Sequence, residues 1–374
     1  MTYEPFNLPP LPPHLNIEPH FKLIVEARDA VSRYDEAVKR LPNPMIIRHA
    51  FETKEAVSSS AIEGTQTTFE DVLMFDASEH QAEKTEIDKD YREVVNYRKA
   101  INLGQEILSS RPLGENEIKT LHRVLLDSSR GRNRAPGEFR RSQVHLGRPG
   151  ASIEEASFIP PAAPSVPQLF SNLIAYMQDP TQPDLLVQAA VAHYQFESIH
   201  PFYDGNGRTG RLIIPLYLYE KGLTAYPNLY VSEFFEKYKK EYYATLNAVR
   251  FDENGWGAWI PFFLRAIRTQ ARLSLQRVSQ IEQLRTDLFA TLPSYGSRYA
   301  SNFLQAIFCT PIFTANSISA RSNIENKGTV NNLIDKFLAA GVIADKTPQK
   351  TRNKRYHFMQ LLEIIDSDLY ASED

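Results

Sequence analysis

Apolar residues recur at intervals of three and four along most of the chain, which is the spacing of an amphipathic helix. The stretch from His20 to Leu41 is one example, and the prolines at 42 and 44 separate it from a second helix that runs from Met45 through Ile62 and ends at Gly64. The same spacing returns at 91–108, 116–126, 184–198 and 256–292. The pattern predicts a mainly α-helical protein.

Shorter elements follow residue 303. Helical segments at 303–308, 315–320 and 328–340 precede two strand-like segments at 341–343 and 355–358. The residues between those strands are basic and include Lys346, Lys350, Arg352 and Lys354. This order resembles a winged helix-turn-helix, which as a DNA reader would lay 328–340 in a groove and the basic wing on phosphates. Asp335 opposes Lys336 on that helix, so a packing or partner-binding role is an equal alternative.

One polar stretch interrupts two apolar helical segments. Residues 200–211 read His-Pro-Phe-Tyr-Asp-Gly-Asn-Gly-Arg-Thr-Gly-Arg, and Leu212 to Tyr219 is again almost wholly apolar. A loop that opens a helix presents free N–H groups and the positive end of the helix dipole, which suits an anion placed over 205–207. Arg208 and Arg211 would add bidentate contacts to phosphate oxygens. The stretch is therefore a candidate polyphosphate site.

Two side chains of this stretch carry candidate chemistry. Asp204 offers a hard oxygen ligand for a magnesium ion, which takes few protein carboxylates and completes its shell with phosphate and water. His200 is placed to act as a general base toward a hydroxyl, because an imidazole of ordinary pKa is largely neutral at cytosolic pH. The run Gly205 to Gly210 also satisfies the dinucleotide-binding pattern Gly-x-Gly-x-x-Gly, but it does not follow a strand. A helix start with surface arginines is the plainest alternative.

The twelve residues match every fixed position of the Fic family signature, His-Pro-Phe-x-Asp/Glu-Gly-Asn-Gly-Arg-x-x-Arg. On these residues the chain resembles a member of that family. The resemblance implies a protein adenylyltransferase that transfers AMP from ATP to a Ser, Thr or Tyr hydroxyl. It implies that His200 is the base and that Asp204 holds magnesium. The remaining implied nucleotide-binding residues are Gly205, Asn206, Gly207, Arg208 and Arg211, with the γ-phosphate on Arg211. Some relatives use UTP or a CDP-linked group, so the nucleotide stays open.

Residues 59–64, Ser-Ser-Ala-Ile-Glu-Gly, resemble the family's inhibitory motif, Ser/Thr-x-x-x-Glu-Gly/Asn. The resemblance implies that Ser59 and Glu63 belong to an inhibitory helix whose carboxylate pairs with Arg211 and removes the partner of the γ-phosphate. Some relatives with this glutamate also remove AMP. A solvated helix-end charge is the alternative for Glu63.

Two further elements are interpreted through the same resemblance. Residues 142–146 alternate like a strand and 158–161 supply a return segment, which predicts a β-hairpin. The resemblance implies that this hairpin is a flap that pairs with the target by strand addition. Tyr242 lies on a helix that resembles the family's border of the adenine site. The predicted domains are an N-terminal arm with the inhibitory region (1–105), a catalytic core (106–290) and the winged helix-turn-helix-like domain (291–374).

Composition narrows the class of protein. The 374 residues are 42% hydrophobic and 23% charged with a net charge of -3, which gives no overall attraction to nucleic acid or to an anionic membrane. Cys309 is the only cysteine, which fits a reducing compartment, and the first 16 residues do not read as a secretory signal. A cytoplasmic protein is expected, with ATP and a target protein or itself as partners. Its oligomeric state stays open, a homodimer included.

Overall fold

Helices dominate the computed structural model of the chain, which describes residues 4–77, 86–128, 132–148, 150, 152–252, 254–350 and 352–372. This confirms the predicted mainly α class. The α-helices of these residues are α1 (Phe21–Arg40), α2 (Met45–Ile62), α3 (Phe69–Asp76), α4 (Glu86–Leu108), α5 (Glu115–Leu125), α6 (Val166–Gln178), α7 (Leu185–Ile199), α8 (Asn206–Glu220), α9 (Ser232–Lys237), α10 (Lys239–Phe251), α11 (Trp256–Thr291), α12 (Ala300–Cys309), α13 (Ala315–Ser322), α14 (Lys327–Ala339) and α15 (Met359–Asp366).

The helices α7 and α8 pack against each other and lie in the hydrophobic core. Asp184 caps α7, because its Oδ1 accepts from the N–H groups of Leu186 at 2.8 Å and Val187 at 3.1 Å. Every residue of α7 from Leu186 to Ile199 is buried, and the Trp259 indole of α11 donates to the Ala190 carbonyl at 2.9 Å. Enclosure on all sides fixes the position of the loop that leaves α7 and enters α8.

The second helix, α2, is also enclosed on most of its circumference. It packs against α4 and α9 on one side and against α12 and α15 of the C-terminal region on the other. Lys54 links it to α15, since its Nζ lies 3.0 Å from the Ile365 carbonyl and 3.1 Å from Asp366 Oδ1. Beyond Ile62, Gly64 takes a φ of 102°, a conformation that glycine adopts without steric cost. The helix end is thereby aimed at α8.

The predicted hairpin flap is much shorter than the sequence suggested. Leu146 and Phe158 form one isolated antiparallel bridge, with the Leu146 N–H 2.8 Å from the Phe158 carbonyl. The return segment runs into Pro160 and Pro161, which have no N–H to continue a ladder. The N-terminal arm lies beside it, because the Phe6 N–H donates to the Ile159 carbonyl at 2.9 Å.

A three-stranded antiparallel sheet of order β1-β3-β2 completes the C-terminal region, with β1 (Ile312–Phe313), β2 (Ala344–Asp345) and β3 (Tyr356–His357). The helices α12, α13 and α14 precede β2 and β3 in the predicted order, and β1 is a strand that the sequence did not predict. The strand predicted at 341–343 was wrong in position, because Gly341, with a φ of 70°, ends α14 and Val342 and Ile343 are buried in a turn before the strand begins. No helix in the described part of the chain is both long and apolar enough to span a membrane.

Candidate active site

The loop between α7 and α8 contains one residue in an uncommon backbone conformation and is held by hydrogen bonds from the Asn206 side chain. His200 ends α7 with a φ of 49° and a ψ of 61°, a left-handed conformation that is uncommon for a residue with a side chain. Asn206 closes the loop, since its Oδ1 accepts from the Phe202 N–H at 2.8 Å and its Nδ2 donates to the Phe202 carbonyl at 2.9 Å. Gly205 precedes α8 with a φ of 73°. The first amides of α8 are therefore presented beside His200.

A buried histidine outside the loop supports it. His122 of α5 accepts from the Gly137 N–H at its Nδ1 (2.8 Å), so its Nε2 carries the proton that is donated to the Asp204 carbonyl at 2.9 Å. Its ring stacks on Phe202 with 3.7 Å between centroids. Burial lowers the pKa of His122 to about 4, which keeps it neutral. His122 therefore stabilises the position of the Asp204 main chain through this hydrogen bond.

The inhibitory-type motif contacts the last arginine of the loop. Arg211 is 1% exposed, and its Nε donates to Ser59 Oγ at 2.9 Å while its Nη2 donates to the Ser59 carbonyl at 2.8 Å and to Glu63 Oε1 at 2.7 Å. One whole edge of the guanidinium is therefore occupied by the end of α2. Burial opposes the charge on Glu63, but Arg211, with smaller effects from Arg208 and His200, holds the pKa of that carboxyl below its ordinary value.

Glu63 also lies directly over Gly207, in the cradle that residues 205–207 were predicted to form for an anion. A Cβ atom at Gly207 would come within 2.2 Å of Glu63 Oε1 and within 2.8 Å of Arg211 Nη1. The absence of a side chain at Gly207 thus leaves the space that this carboxylate occupies at the start of α8. The cradle predicted for a phosphate thus contains a negatively charged oxygen, supplied by the chain itself.

Arg208 faces a different helix from Arg211. Its Nη1 lies 2.6 Å from Glu93 Oε2 of α4, and its Nη2 lies 3.5 Å from Asp204 Oδ1. Sequence reasoning missed Glu93, because it lies 115 residues before Arg208 and belongs to no recognisable motif. The side-chain exposed fraction of Arg208 is only 8%, so this pair fixes the guanidinium firmly.

Asp204 presents a partly exposed carboxylate beside the start of α8. Its side chain is 42% exposed, and its Oδ1 accepts from the Gly205 N–H at 2.6 Å. A magnesium ion held with a nucleotide needs only one or two protein carboxylates, so this donor fits. Among the residues that the structure describes, no three metal-ligating side chains come together, which leaves no all-protein metal cage there.

His200 is buried near two arginines and a carboxylate. Burial lowers its pKa to about 4, with further lowering by Arg250 and Arg140, while Glu63 raises it slightly. Glu197, one turn earlier on α7, shows the opposite change, since burial raises the pKa of its carboxyl to about 7. The imidazole is therefore neutral at physiological pH and able to accept a proton.

The structure places the Tyr242 side chain in the core beside His193. It is 1% exposed, and its hydroxyl lies 2.9 Å from His193 Nε2 in the core. The next residue, Tyr243, is 41% exposed. Tyr242 therefore packs among core side chains, and helical spacing alone did not show which of the two adjacent tyrosines faces inward. The remaining predicted residues, at 59, 63, 200, 204–208 and 211, belong to the loop, the start of α8 and the helix end that touches them.

Two family models match adjacent parts of the chain. The Fic/DOC family N-terminal model matches residues 21–106, and the Fic/DOC family model matches residues 112–218. Together they cover just over half of the chain. The protein belongs to the Fic/DOC family.

Curated relatives in this family are named protein adenylyltransferases. The fic-1 adenylyltransferase of Caenorhabditis briggsae is 28% identical over 143 residues, which is 38% of this chain and 24% of that protein. The Fic adenylyltransferase of Drosophila sechellia is 26% identical over 282 residues, covering 73% of this chain and 51% of that protein. The match thus spans between about a quarter and a half of the length of these relatives.

Solved structures share the fold. A Fic family protein from Desulfovibrio desulfuricans G20 superposes with a TM-score of 0.58 at 22% identity, over 93% of this chain and 98% of that one. A Fic domain containing signaling protein from Bacteroides thetaiotaomicron VPI-5482 gives a TM-score of 0.54 at 19% identity, over 68% and 97%. The helical architecture is therefore that of the family.

Proposed function

We propose that the protein transfers AMP from ATP to a Ser, Thr or Tyr hydroxyl of a protein, and that Glu63 restrains this activity. The observation that carries the proposal is the carboxylate of Glu63 in the cradle at the start of α8, 2.7 Å from Arg211 Nη2. A site that holds one anionic oxygen beside a guanidinium at the first turn of a helix has the chemistry to hold a phosphate. The names of the relatives support adenylyl transfer as the reaction.

The proposed reaction uses His200 as the base. The target hydroxyl gives its proton to the neutral imidazole while its oxygen bonds to the α-phosphorus, and the bond from that phosphorus to the pyrophosphate oxygen breaks. Pyrophosphate leaves with the electron pair. The amides of residues 205–207 and the guanidinium of Arg208 would stabilise the charge on the phosphates. Asp204 would hold a magnesium ion, which supplies charge neutralisation on the phosphate oxygens.

The proposed restraint follows from competition for Arg211. While Glu63 and Ser59 occupy its Nε and Nη2 edge, the γ-phosphate has no bidentate partner there. ATP would then bind in a pose that does not align the α-phosphorus with the target. Removal of AMP from a modified target, with Glu63 orienting a water, stays an alternative use of the same carboxylate.

The direct test uses ATP labelled at either end. With magnesium present, label from the α-phosphate should appear on the protein or a partner, and label from the γ-phosphate should appear only in pyrophosphate. Label from the γ-phosphate on protein would identify a kinase reaction and contradict the proposal.

The rate of AMP transfer should change little as the pH is lowered from 8 to about 5. Because the pKa of His200 is lowered to about 4, the imidazole stays neutral from pH 8 down to about pH 5. The Glu63→Gly variant loses a carboxylate that raises this pKa, so its acid limb should lie lower still. A histidine of ordinary pKa, about 6.5, would be only about one-quarter neutral at pH 6. The measurement is single-turnover transfer by Glu63→Gly across this range, with ATP affinity measured at each pH as control. A one-proton loss of rate centred near pH 6.5, with unchanged affinity, would contradict it.

A polar cleft in the C-terminal region favours a second candidate function, DNA binding. The cleft has a volume of about 180 Å³ between α13, α14 and the wing, and it is lined by Asn316, Asn331, Asn353 and Lys354. Amide side chains beside a recognition-type helix can read base edges, while the wing lysines and arginines can contact phosphates.

Salt dependence tests the DNA candidate. If the wing contacts about four phosphates, the affinity for duplex DNA should fall roughly 100-fold between 50 and 200 mM salt, and Lys350→Ala with Arg352→Ala should reduce both affinity and slope. Fluorescence anisotropy with mixed genomic fragments measures this. Affinity that does not respond to salt or to these two substitutions would remove DNA as a partner.

A further inference from the structure

One buried arginine outside the signature contacts the main chain of the base. Arg140 is 2% exposed, and its Nε donates to the His200 carbonyl at 2.8 Å. Its Nη2 lies 3.2 Å from the Ile199 carbonyl, and its own N–H donates to the Pro201 carbonyl at 2.9 Å. The left-handed conformation of His200 ends α7, so these carbonyls belong to the end of a helix, where carbonyl oxygens have no intrahelical N–H partner. Arg140 satisfies them instead.

The same guanidinium contacts both segments of the flap. Its Nη1 lies 3.4 Å from the Ser142 carbonyl where the flap begins, and its Nη2 lies 2.5 Å from the Pro161 carbonyl where the flap returns. In the described part of the flap, one antiparallel bridge joins its two segments, between Leu146 and Phe158. Arg140 therefore joins both segments of the flap to the main chain at His200, alongside the Tyr203 hydroxyl, which accepts from the Arg141 N–H at 2.9 Å.

The chemistry of this contact set is unusual for a residue with only a packing role. Every acceptor of the Arg140 side chain among the described residues is a main-chain carbonyl oxygen, with no carboxylate to neutralise the charge. Burial lowers the pKa of Arg140 to about 10. A buried cation without a neutralising carboxylate is costly, and an apolar side chain could fill the same space without that cost. We therefore attribute the role of Arg140 to the main-chain carbonyls that its guanidinium N–H groups connect.

We propose that Arg140 is a positioning residue that holds the base His200 and the target-binding flap in one rigid frame. The inference rests on the proposed adenylyl transfer. A hydroxyl presented by the flap then reaches the imidazole at a fixed distance, which is the geometric requirement for proton transfer. Residues of α8 that would hold the nucleotide are not among the contacts of Arg140, so nucleotide binding is separate from this role.

The charge of Arg140 gives a second readout. The groups that face His200 are Arg250 of α10, Glu63 at the end of α2, Glu197 of α7 and Arg140. Arg140 and Arg250 lower the pKa of His200 and Glu63 raises it. Removing the charge of Arg140 should therefore move the acid limb of the rate profile toward higher pH, and Arg140→Lys, which keeps the charge, separates this effect from a shift caused by water reaching His200.

The experiment is done in the full-length Glu63→Gly protein, so that transfer is measurable. Arg140→Gln and Arg140→Lys are compared with Arg33→Gln, which removes an exposed arginine charge on α1. We expect Arg140→Gln to slow single-turnover transfer about 100-fold while the affinity for ATP changes less than about threefold, because a displacement of about 1 Å can cost that much. Arg140→Lys should keep the position of the acid limb but recover only part of the rate, since an ammonium cannot bridge the same carbonyls. Arg33→Gln should match the parent.

The outcomes separate this inference from the proposed function. If the Glu63→Gly parent transfers no AMP, the proposed function fails and the inference fails with it. If the parent is active and Arg140→Gln keeps its rate within about threefold, or loses rate only in proportion to lost ATP affinity, Arg140 does not position the base. Should Arg140→Gln not fold, Arg140→Lys decides, because a full rate in that variant overturns the role.

Discussion

Replacing Glu63 by glycine should increase AMP transfer by about 10- to 100-fold. The substitution removes the carboxylate that lies 2.7 Å from Arg211 Nη2 and over Gly207, and so frees the guanidinium and the start of α8 for the phosphates of ATP. A hydrogen bond between charged groups contributes about 1.5–3 kcal/mol, and the 41% exposure of the Glu63 side chain places the effect toward the lower end. The fold itself should be little affected, because Glu63 follows the last residue of α2.

The matched control is Glu325→Gly, which removes an exposed carboxylate from a loop before α14. It should leave the rate of label incorporation and the melting temperature unchanged. Isothermal titration adds a second measure, since Glu63→Gly should also bind ATP more tightly. Equal incorporation by Glu63→Gly and the parent protein would show that the pair with Arg211 does not restrain the reaction.

Replacing His200 by alanine in the Glu63→Gly protein should lower transfer by about 100- to 10,000-fold, the range that a positioned general base contributes. The affinity for ATP should persist, because the amides of residues 205–207 and the side chains of Arg208 and Arg211 remain. His14→Ala, which removes an exposed imidazole from the N-terminal arm, is the control and should retain full activity. The rates are measured as single-turnover incorporation of α-phosphate label.

The interpretation of His200 as the base fails if its alanine variant transfers AMP at an undiminished rate. A variant that loses both ATP affinity and transfer would instead indicate that the ring supports the loop. That result is separable from loss of a base, because His200→Asn keeps a polar side chain at the left-handed position, where asparagine is well tolerated, and should restore binding without restoring the rate.

The positions of the helices followed closely from local sequence. α2 begins at Met45 after Pro44 and ends at Ile62 before Gly64, as the turn residues predicted, and the apolar runs on either side of residues 200–211 became α7 and α8. Local signals were weaker where strands are short. The sequence predicted a full hairpin near residues 142–161, but prolines at its return end leave one bridge.

The residues of the candidate site that are close in sequence could be predicted, whereas its contacts with distant segments could not. Residues within twelve positions of each other, from His200 to Arg211, are brought together by a single turn, so their type and spacing were sufficient to predict an anion site. Contacts between distant segments were not visible in this way. Glu93 on Arg208, Arg140 beneath His200, and the burial of Tyr242 beside His193 all depend on which helix packs against which.

The sequence by itself determined the helical class, the loop that opens α8 and the identity of the groups that could bind a nucleotide, because spacing along one chain segment fixes which side chains share a turn. Only the tertiary structure decided which of those groups are already paired. Packing of α2 and α4 around α8 brings Glu63 to Arg211 and Glu93 to Arg208, and burial among arginines lowers the pKa of His200. These effects depend on distance and desolvation in three dimensions, which no local pattern records.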